Sequence, residues 1–295
     1  MLPSTCRFIA VLLLMATGIS AQSSGTDRFI SVNGLRLHYL EWGARDKMPL
    51  ILLHGIGRDA HSFDHIAPHF AADYRVLAVD LRGHGDSGWH PEGAYLVDDF
   101  VRDLEALVDQ LQLRDLIVLG NSTGGRVAQV YAGRHRGRVR ALVVEDVGPE
   151  RPKDVAAGFA RRVQAEANGW SSEDELLAHL KGQSAAVSDD LLRAHVRSAT
   201  RRREDGRLVW KRDPKLVNGF VPTELWQDVR RIAAPTLYVL GGSSTIVSKA
   251  TQDQLSRTIP QVDIVVMPGI GHYPHLEAPV EYVRLVKDFL SRALR

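Results

Sequence analysis

Six short runs rich in branched apolar residues recur along the chain: Leu50–Leu53, Arg75–Val79, Leu116–Leu119, Ala141–Val144, Thr236–Leu240 and Val262–Met267. Between them apolar residues repeat at helical spacing, as at Leu96, Phe100, Leu104, Leu107 and Leu111, and again at Val283, Val286 and Leu290. Strands that are apolar on both faces belong in a parallel sheet covered from both sides. The alternation therefore predicts a doubly wound α/β sheet. Phe29–Gly34 and Leu35–Tyr39 add a hairpin turning at Asn33-Gly34. With 295 residues and 44% hydrophobic content, the chain can bury one large core of this kind.

One stretch breaks the alternation. Residues 149–222 contain no convincing buried strand; the text is polar and helical, with Trp170 and Trp210 in it and Trp226 just after. Inserted after the sixth strand, such helices form a lid over the strand ends, where sheets of this type bind ligands. The expected organisation is a core over residues 22–148, a helical cap over 149–222 and a second core segment over 223–295.

Leu116-Ile-Val-Leu-Gly-Asn-Ser-Thr-Gly-Gly125 reads as strand, sharp turn and helix start, and it matches G-x-S-x-G. A serine in that turn is lifted clear of the sheet, and the following helix N-terminus favours negative charge beside it. Gly120 and Gly124 leave room for the bend. Serine still needs a base to take its proton, and histidine has the matching pKa. Met267-Pro-Gly-Ile-Gly-His-Tyr-Pro-His275 follows the last strand and can carry His272 over the strand ends; His275 is the rival. After the third strand, Leu53-His-Gly-Ile-Gly57 turns tightly enough to aim the Ile56 N–H at a reacting oxygen. The Thr123 N–H would be the second donor of an oxyanion hole.

Two patterns imitate other chemistry. Gly55-Ile-Gly-Arg-Asp-Ala60 with Asp80 resembles a dinucleotide fingerprint, but that reading leaves the Ser122 and His272 motifs without a purpose. His61, His65 and His69 fall at four-residue spacing on one expected helix face, without a set of carboxylates to complete a metal site. They read as polar residues near the site rim. His84 and Asp86 read as residues that order their own loop.

Residues 1–21 follow a different grammar. Arg7 precedes an apolar run, Phe8–Ala16, and Ile19-Ser-Ala21 offers small residues for cleavage, the layout of a secretory signal peptide. The run is far shorter than the ~20 residues that cross a bilayer. Export to the periplasm or the extracellular space is expected, with no stable membrane insertion once the leader is gone. Cys6 is the only cysteine and departs with it, which leaves no thiol for catalysis or metal binding. The formal charge of +2 and the scattered basic clusters, residues 134–140 and 201–203, give no nucleic-acid footprint. The expected partner is a small-molecule substrate, with no cofactor and no metal.

Taken together, His54-Gly55, Asp80-Leu-Arg-Gly-His-Gly-Asp-Ser87, Gly120-Asn-Ser-Thr-Gly124 and Gly271-His272 resemble the α/β-hydrolase superfamily, in its order and roughly its spacing. The resemblance implies a mostly parallel eight-stranded sheet, a helical cap inserted after strand six and a Ser-His-acid triad. It departs from the superfamily where the acid usually stands, after the seventh strand. There the text is Leu240-Gly-Gly-Ser-Ser-Thr-Ile-Val-Ser248, with Ser244 in place of aspartate. Some members take the acid from the end of the sixth strand, here Val144-Glu-Asp-Val-Gly-Pro149. Asp146 is the choice and Glu145 the second, although an aspartate there also serves simply to cap the turn. The implied activity is a serine hydrolase of the esterase or lactonase type, acting through an acyl-enzyme on Ser122. C–C bond hydrolysis or lyase chemistry reuses the same constellation. A ligand-binding or sensing protein with little turnover is the reading from outside the enzymes, and a site without any acid would favour it.

Overall fold

Asn33 and Gly34, both at positive φ, close a hairpin between β1 (Thr26–Val32) and β2 (Leu35–Trp42). Two such residues in a two-residue loop supply the twist that antiparallel strands need. The structure, a computed structural model, describes residues 24–184 and 186–295. The leader expected over residues 1–21 lies outside the described residues.

The chain then lays down β3 (Pro49–Leu53), β4 (Arg75–Val79), α1 (Val97–Gln110), β5 (Leu116–Asn121), α2 (Thr123–Arg134) and β6 (Val139–Glu145). The insertion holds β7 (Glu150–Arg151), α3 (Lys153–Ala165), α4 (Glu173–Gln183), α5 (Asp189–Ala199), β8 (Thr200–Arg202) and β9 (Leu208–Trp210). After β10 (Thr223–Glu224) and α6 (Trp226–Val229) the main sheet resumes with β11 (Thr236–Gly241), α7 (Lys249–Thr258) and β12 (Val262–Met267). Helices α8 (Pro274–Glu277) and α9 (Pro279–Ala293) end the chain.

Eight strands form one sheet in the order β1-β2-β4-β3-β5-β6-β11-β12, with β2 alone running against the others. Every residue of β3, β4 and β5 is buried, because helices cover both faces. Alternate side chains divide between the two sides. Ile51, Leu53 and Val118 pack with α1 and α2, while Leu50, Leu52, Ile117 and Leu119 pack with α9. Parallel pairing brings the ends of β3, β5, β6, β11 and β12 to a single edge. All the motif loops start from that edge.

The insertion has a small core of its own, in which Trp170, Leu176, Leu180, Leu192 and Val196 meet Leu276 of α8. The cap thus rests on the segment just after His272. It also holds strands that the sequence does not announce. β8 pairs with β9, and β7 pairs with β10 where the chain leaves and re-enters the main body. Strands of two or three residues are too short to show a period of two. Residues 60–69 correct a second expectation. They form two 3-10 turns, Ala60–Phe63 and Ala67–His69, so His61, His65 and His69 do not share an α-helical face. Pro68, with no N–H and a fixed φ, cannot sit inside a continuous helix there. Among the described residues, no helix is long and apolar enough to cross a membrane.

Candidate active site

Ser122 is the whole of the turn between β5 and α2, at φ 50° and ψ −115°. A non-glycine residue held there costs roughly 1–3 kcal/mol, which its surroundings must offset. They do so with backbone bonds. The Ser122 N–H donates to the Glu145 carbonyl at 3.0 Å, and the Gly124 N–H donates to the His54 carbonyl at 3.1 Å. The crossing is tight enough that a Cβ on Gly124 would stand 2.1 Å from the Leu53 carbonyl oxygen. The result projects Ser122 into a cavity of about 210 Å³, whose wall also includes Ile56, Phe159, Arg162, His272 and Tyr273.

His272 arrives on the loop between β12 and α8. That loop is clamped by a residue the motifs do not reveal. Glu277 accepts from the Gly271 N–H at 2.7 Å and from the Tyr273 N–H at 3.0 Å. The signal was a local one, an acid in the first turn of a helix opened by a proline. From the other side, the Asn121 side-chain amide donates to the His272 carbonyl at 3.3 Å.

The His272 Nδ1 donates to Asp146 Oδ2 at 2.7 Å. Asp146 is 1% exposed and sits at φ 44°, so the chain turns sharply just past the end of β6. Its other oxygen accepts from the Gly241 N–H at 2.9 Å, and Oδ2 also accepts from the Ser244 hydroxyl at 2.6 Å. The residue standing where the superfamily usually has its acid thus donates to a carboxylate supplied from the neighbouring strand. Burial by itself would lower the His272 pKa. The Asp146 hydrogen bond, with the charges of Tyr273, Asp146 and Glu145, outweighs it and holds the imidazole above the usual histidine value.

The rival acid and the rival base are bonded to one another. His275 Nδ1 donates to Glu145 Oε1 at 2.6 Å, and the His275 N–H reaches the same oxygen at 3.1 Å. Both side chains are buried, with His275 stacked on Phe63 and its carbonyl accepting from His65 Nε2 at 2.6 Å. Neither lines the Ser122 cavity. Of the other two histidines in that run, His61 pairs with Asp64 at 2.9 Å.

Ile56 stands in the loop after β3, on the cavity wall. Thr123 is the first residue of α2, so its N–H has no intrahelical acceptor and points with the helix dipole. The dinucleotide imitation dissolves in the structure. The Asp80 carboxylate is buried and accepts from the Ala60 and Asp86 N–H groups at 2.6 and 2.9 Å and from His38 at 2.7 Å, tying two loops together. His84 donates to the Arg82 carbonyl, and Asp86 pairs with Lys211. Among the described residues, no group of three or more His, Cys, Asp or Glu side chains is arranged to hold a metal ion.

Comparison with known proteins places the chain among enzymes of one architecture. A family model described as alpha/beta hydrolase fold matches residues 48–279. An sn-1-specific diacylglycerol lipase of Mus musculus is 28% identical over 95% of this chain and 93% of its own. A 3-hydroxybutyrate-oligomer hydrolase of Cupriavidus necator is also 28% identical, over 90% and 96%. The crystal structure of an E-2-(acetamidomethylene)succinate hydrolase superposes with a TM-score of 0.80 at 25% identity, covering 90% of this chain and 99% of that one.

Proposed function

This chain belongs to the alpha/beta hydrolase fold family, and from that premise we propose that it is a serine hydrolase acting on an ester, lactone or similar carbonyl compound. One observation carries the reading. Ser122 stands in a strained elbow facing the same cavity as His272, and His272 is held from behind by the buried Asp146 at 2.7 Å. In the first half-reaction the Ser122 Oγ attacks the carbonyl carbon while its proton passes to His272 Nε2. The N–H groups of Ile56 and Thr123 hold the resulting oxyanion. Collapse expels the alkoxide, which takes the proton back from His272 and leaves an acyl group on Ser122. Water then attacks with His272 again as base, releasing the acid and restoring the serine. Asp146 orients the imidazole and stabilises the imidazolium that forms twice per turnover.

The test uses a short-chain aryl ester and a serine-directed phosphonate on the mature protein. Turnover should be abolished by the reagent, which should label Ser122. Ser122→Ala should lose on the order of 10³-fold or more in kcat. Retained activity in that variant, or labelling elsewhere, would overturn the assignment; absence of any turnover would favour a binding protein on this fold. The same reading includes export. Protein taken from its native compartment should begin at or near Gln22, and an intact Met1 on a cytoplasmic pool would refute it.

A further inference from the structure

Three arginines gather at one side of the Ser122 cavity. Arg162, on α3 of the cap, lines the cavity itself, together with Arg126, Arg151 and the carboxylate of Glu150. An adjoining extension of about 20 Å³ shares Ile56, Arg162 and Tyr273 with the main space and adds Arg58, Arg212 and Glu166. Burying guanidinium groups is costly unless each finds a partner. Asp59, next to Arg58, is pushed towards its neutral form by burial; Glu166 is the carboxylate on the extension's own wall, and its oxygens are already taken. Oε1 accepts from His179 at 3.0 Å; Oε2 accepts from Trp210 Nε1 at 3.0 Å and from Arg212.

Arg212 therefore has its counter-charge, while Arg58 and Arg162 form no salt bridge with any described residue. Arg58 is 7% exposed and lies 4.3 Å over the Tyr273 ring. The Arg162 Nε is buried with no hydrogen-bond partner. The local field registers this excess of positive charge. Burial raises the Tyr273 pKa, yet the charges of Arg58, His272 and Arg162 bring the phenol down to about 8. His195, at the same extension, is kept neutral by its burial and by Arg58 and Arg212. A cavity for an uncharged acyl chain has no use for a guanidinium such as that of Arg162, which lines the same space as Ser122 without a salt-bridge partner.

We propose that the substrate carries a carboxylate, which Arg162 binds on the wall shared by the cavity and its extension while Arg58 adds to the attracting field. The inference rests on Ser122 being the reacting residue, since it names what occupies the rest of that site. A planar carboxylate matches one guanidinium fork, which an acyl chain does not. The charge then discriminates between otherwise identical esters.

Two aryl esters decide the matter, 4-nitrophenyl hydrogen succinate and the same compound with its free acid capped as the methyl ester. The wild type should prefer the free acid by about tenfold or more in kcat/KM, the order that one charge-assisted hydrogen bond supplies. Arg162→Met should bring the ratio close to one, and Arg162→Lys should restore part of it. Equal or better use of the capped ester, or a ratio that survives Arg162→Met, would overturn the subsite and leave the serine hydrolase standing. A binding arm needs no turnover. Calorimetric titration of Ser122→Ala with methyl hydrogen succinate should show binding that Ser122→Ala/Arg162→Met loses. If no ester is hydrolysed but that binding is seen, the subsite holds and the hydrolase reading fails; if Ser122→Ala does not bind this probe, the subsite is refuted.

Discussion

Asp146 reaches His272 because its backbone leaves the strand at φ 44°, a conformation that aspartate tolerates better than most residues. Glu145, one position earlier, stays in register and points to the opposite side, where His275 takes it. Substitutions at the two positions should therefore separate cleanly. Asp146→Asn should lower kcat by as much as ~10⁴-fold, through the wrong imidazole tautomer. Glu145→Gln should show mainly in the melting temperature, because it weakens a buried side-chain bond to His275 that lies outside the serine cavity. The pH profile sharpens the first expectation. His272 works as a base only when neutral, so kcat/KM must fall as pH drops through its pKa, which Asp146 holds above 6.5. Removing the carboxylate's charge takes away the largest influence raising that pKa, and the residual activity of Asp146→Asn should extend to lower pH. An acid limb that stays in place would show that Asp146 does not act on the base.

At the scale of elements, the elbow concentrates strain where β5 passes into α2. Glycine adopts the Ser122 dihedrals without the penalty a side chain incurs, so Ser122→Gly should raise stability by about 1 kcal/mol while abolishing turnover. Gly124→Ala should do the reverse, since its Cβ meets the Leu53 carbonyl and must push β3 and α2 apart. Paired chemical-denaturation curves would show the opposite signs. A destabilised Ser122→Gly would mean that the turn is not strained. The loop carrying His272 is held by other elements as well, by Glu277 of α8 from within and by Asn121 of β5 from across the sheet edge. The cap core bears on the same loop through Leu276.

Across the whole molecule, stability carries a pH dependence that the active site does not explain. Burial first, and the charge of Asp80 second, push Asp59 up to about 7, whereas an unfolded aspartate titrates near 3.9. Its protonated form favours the folded state, so the contribution is fully present below pH ~4 and is lost as pH rises through about 7. Asp59→Asn imitates the protonated form at every pH. Its gain in melting temperature over the wild type should thus be larger at pH 8 than at pH 5, and a gain independent of pH would show that Asp59 is ionised throughout. The effect amounts to a few kcal/mol at most, since one pKa unit is about 1.4 kcal/mol.

What the sequence determines by itself is the part of the molecule governed by local periodicity and turn chemistry. Five of the six apolar runs are strands covered on both faces, the sixth, β12, being a partly exposed edge strand, and Gly120-Asn-Ser-Thr-Gly124 between a strand and a helix makes the sharp turn that lifts its serine. The short ribbons β7–β10 escape because two or three residues hold too little pattern, and the broken helix over residues 60–69 escapes because its histidine spacing outweighed Pro68. The sequence offers two acids and two histidines and leaves the choice between them open. Tertiary structure decides which meet, for the pairing depends on a backbone twist at Asp146 and on the spatial neighbourhood of β6 and β11. It likewise decides that Arg58 and Arg162, 104 positions apart, face one cavity while Glu166, on the same wall, is bonded to Arg212. Charge balance in a buried space is a sum over groups brought together by folding, and no stretch of sequence contains that sum.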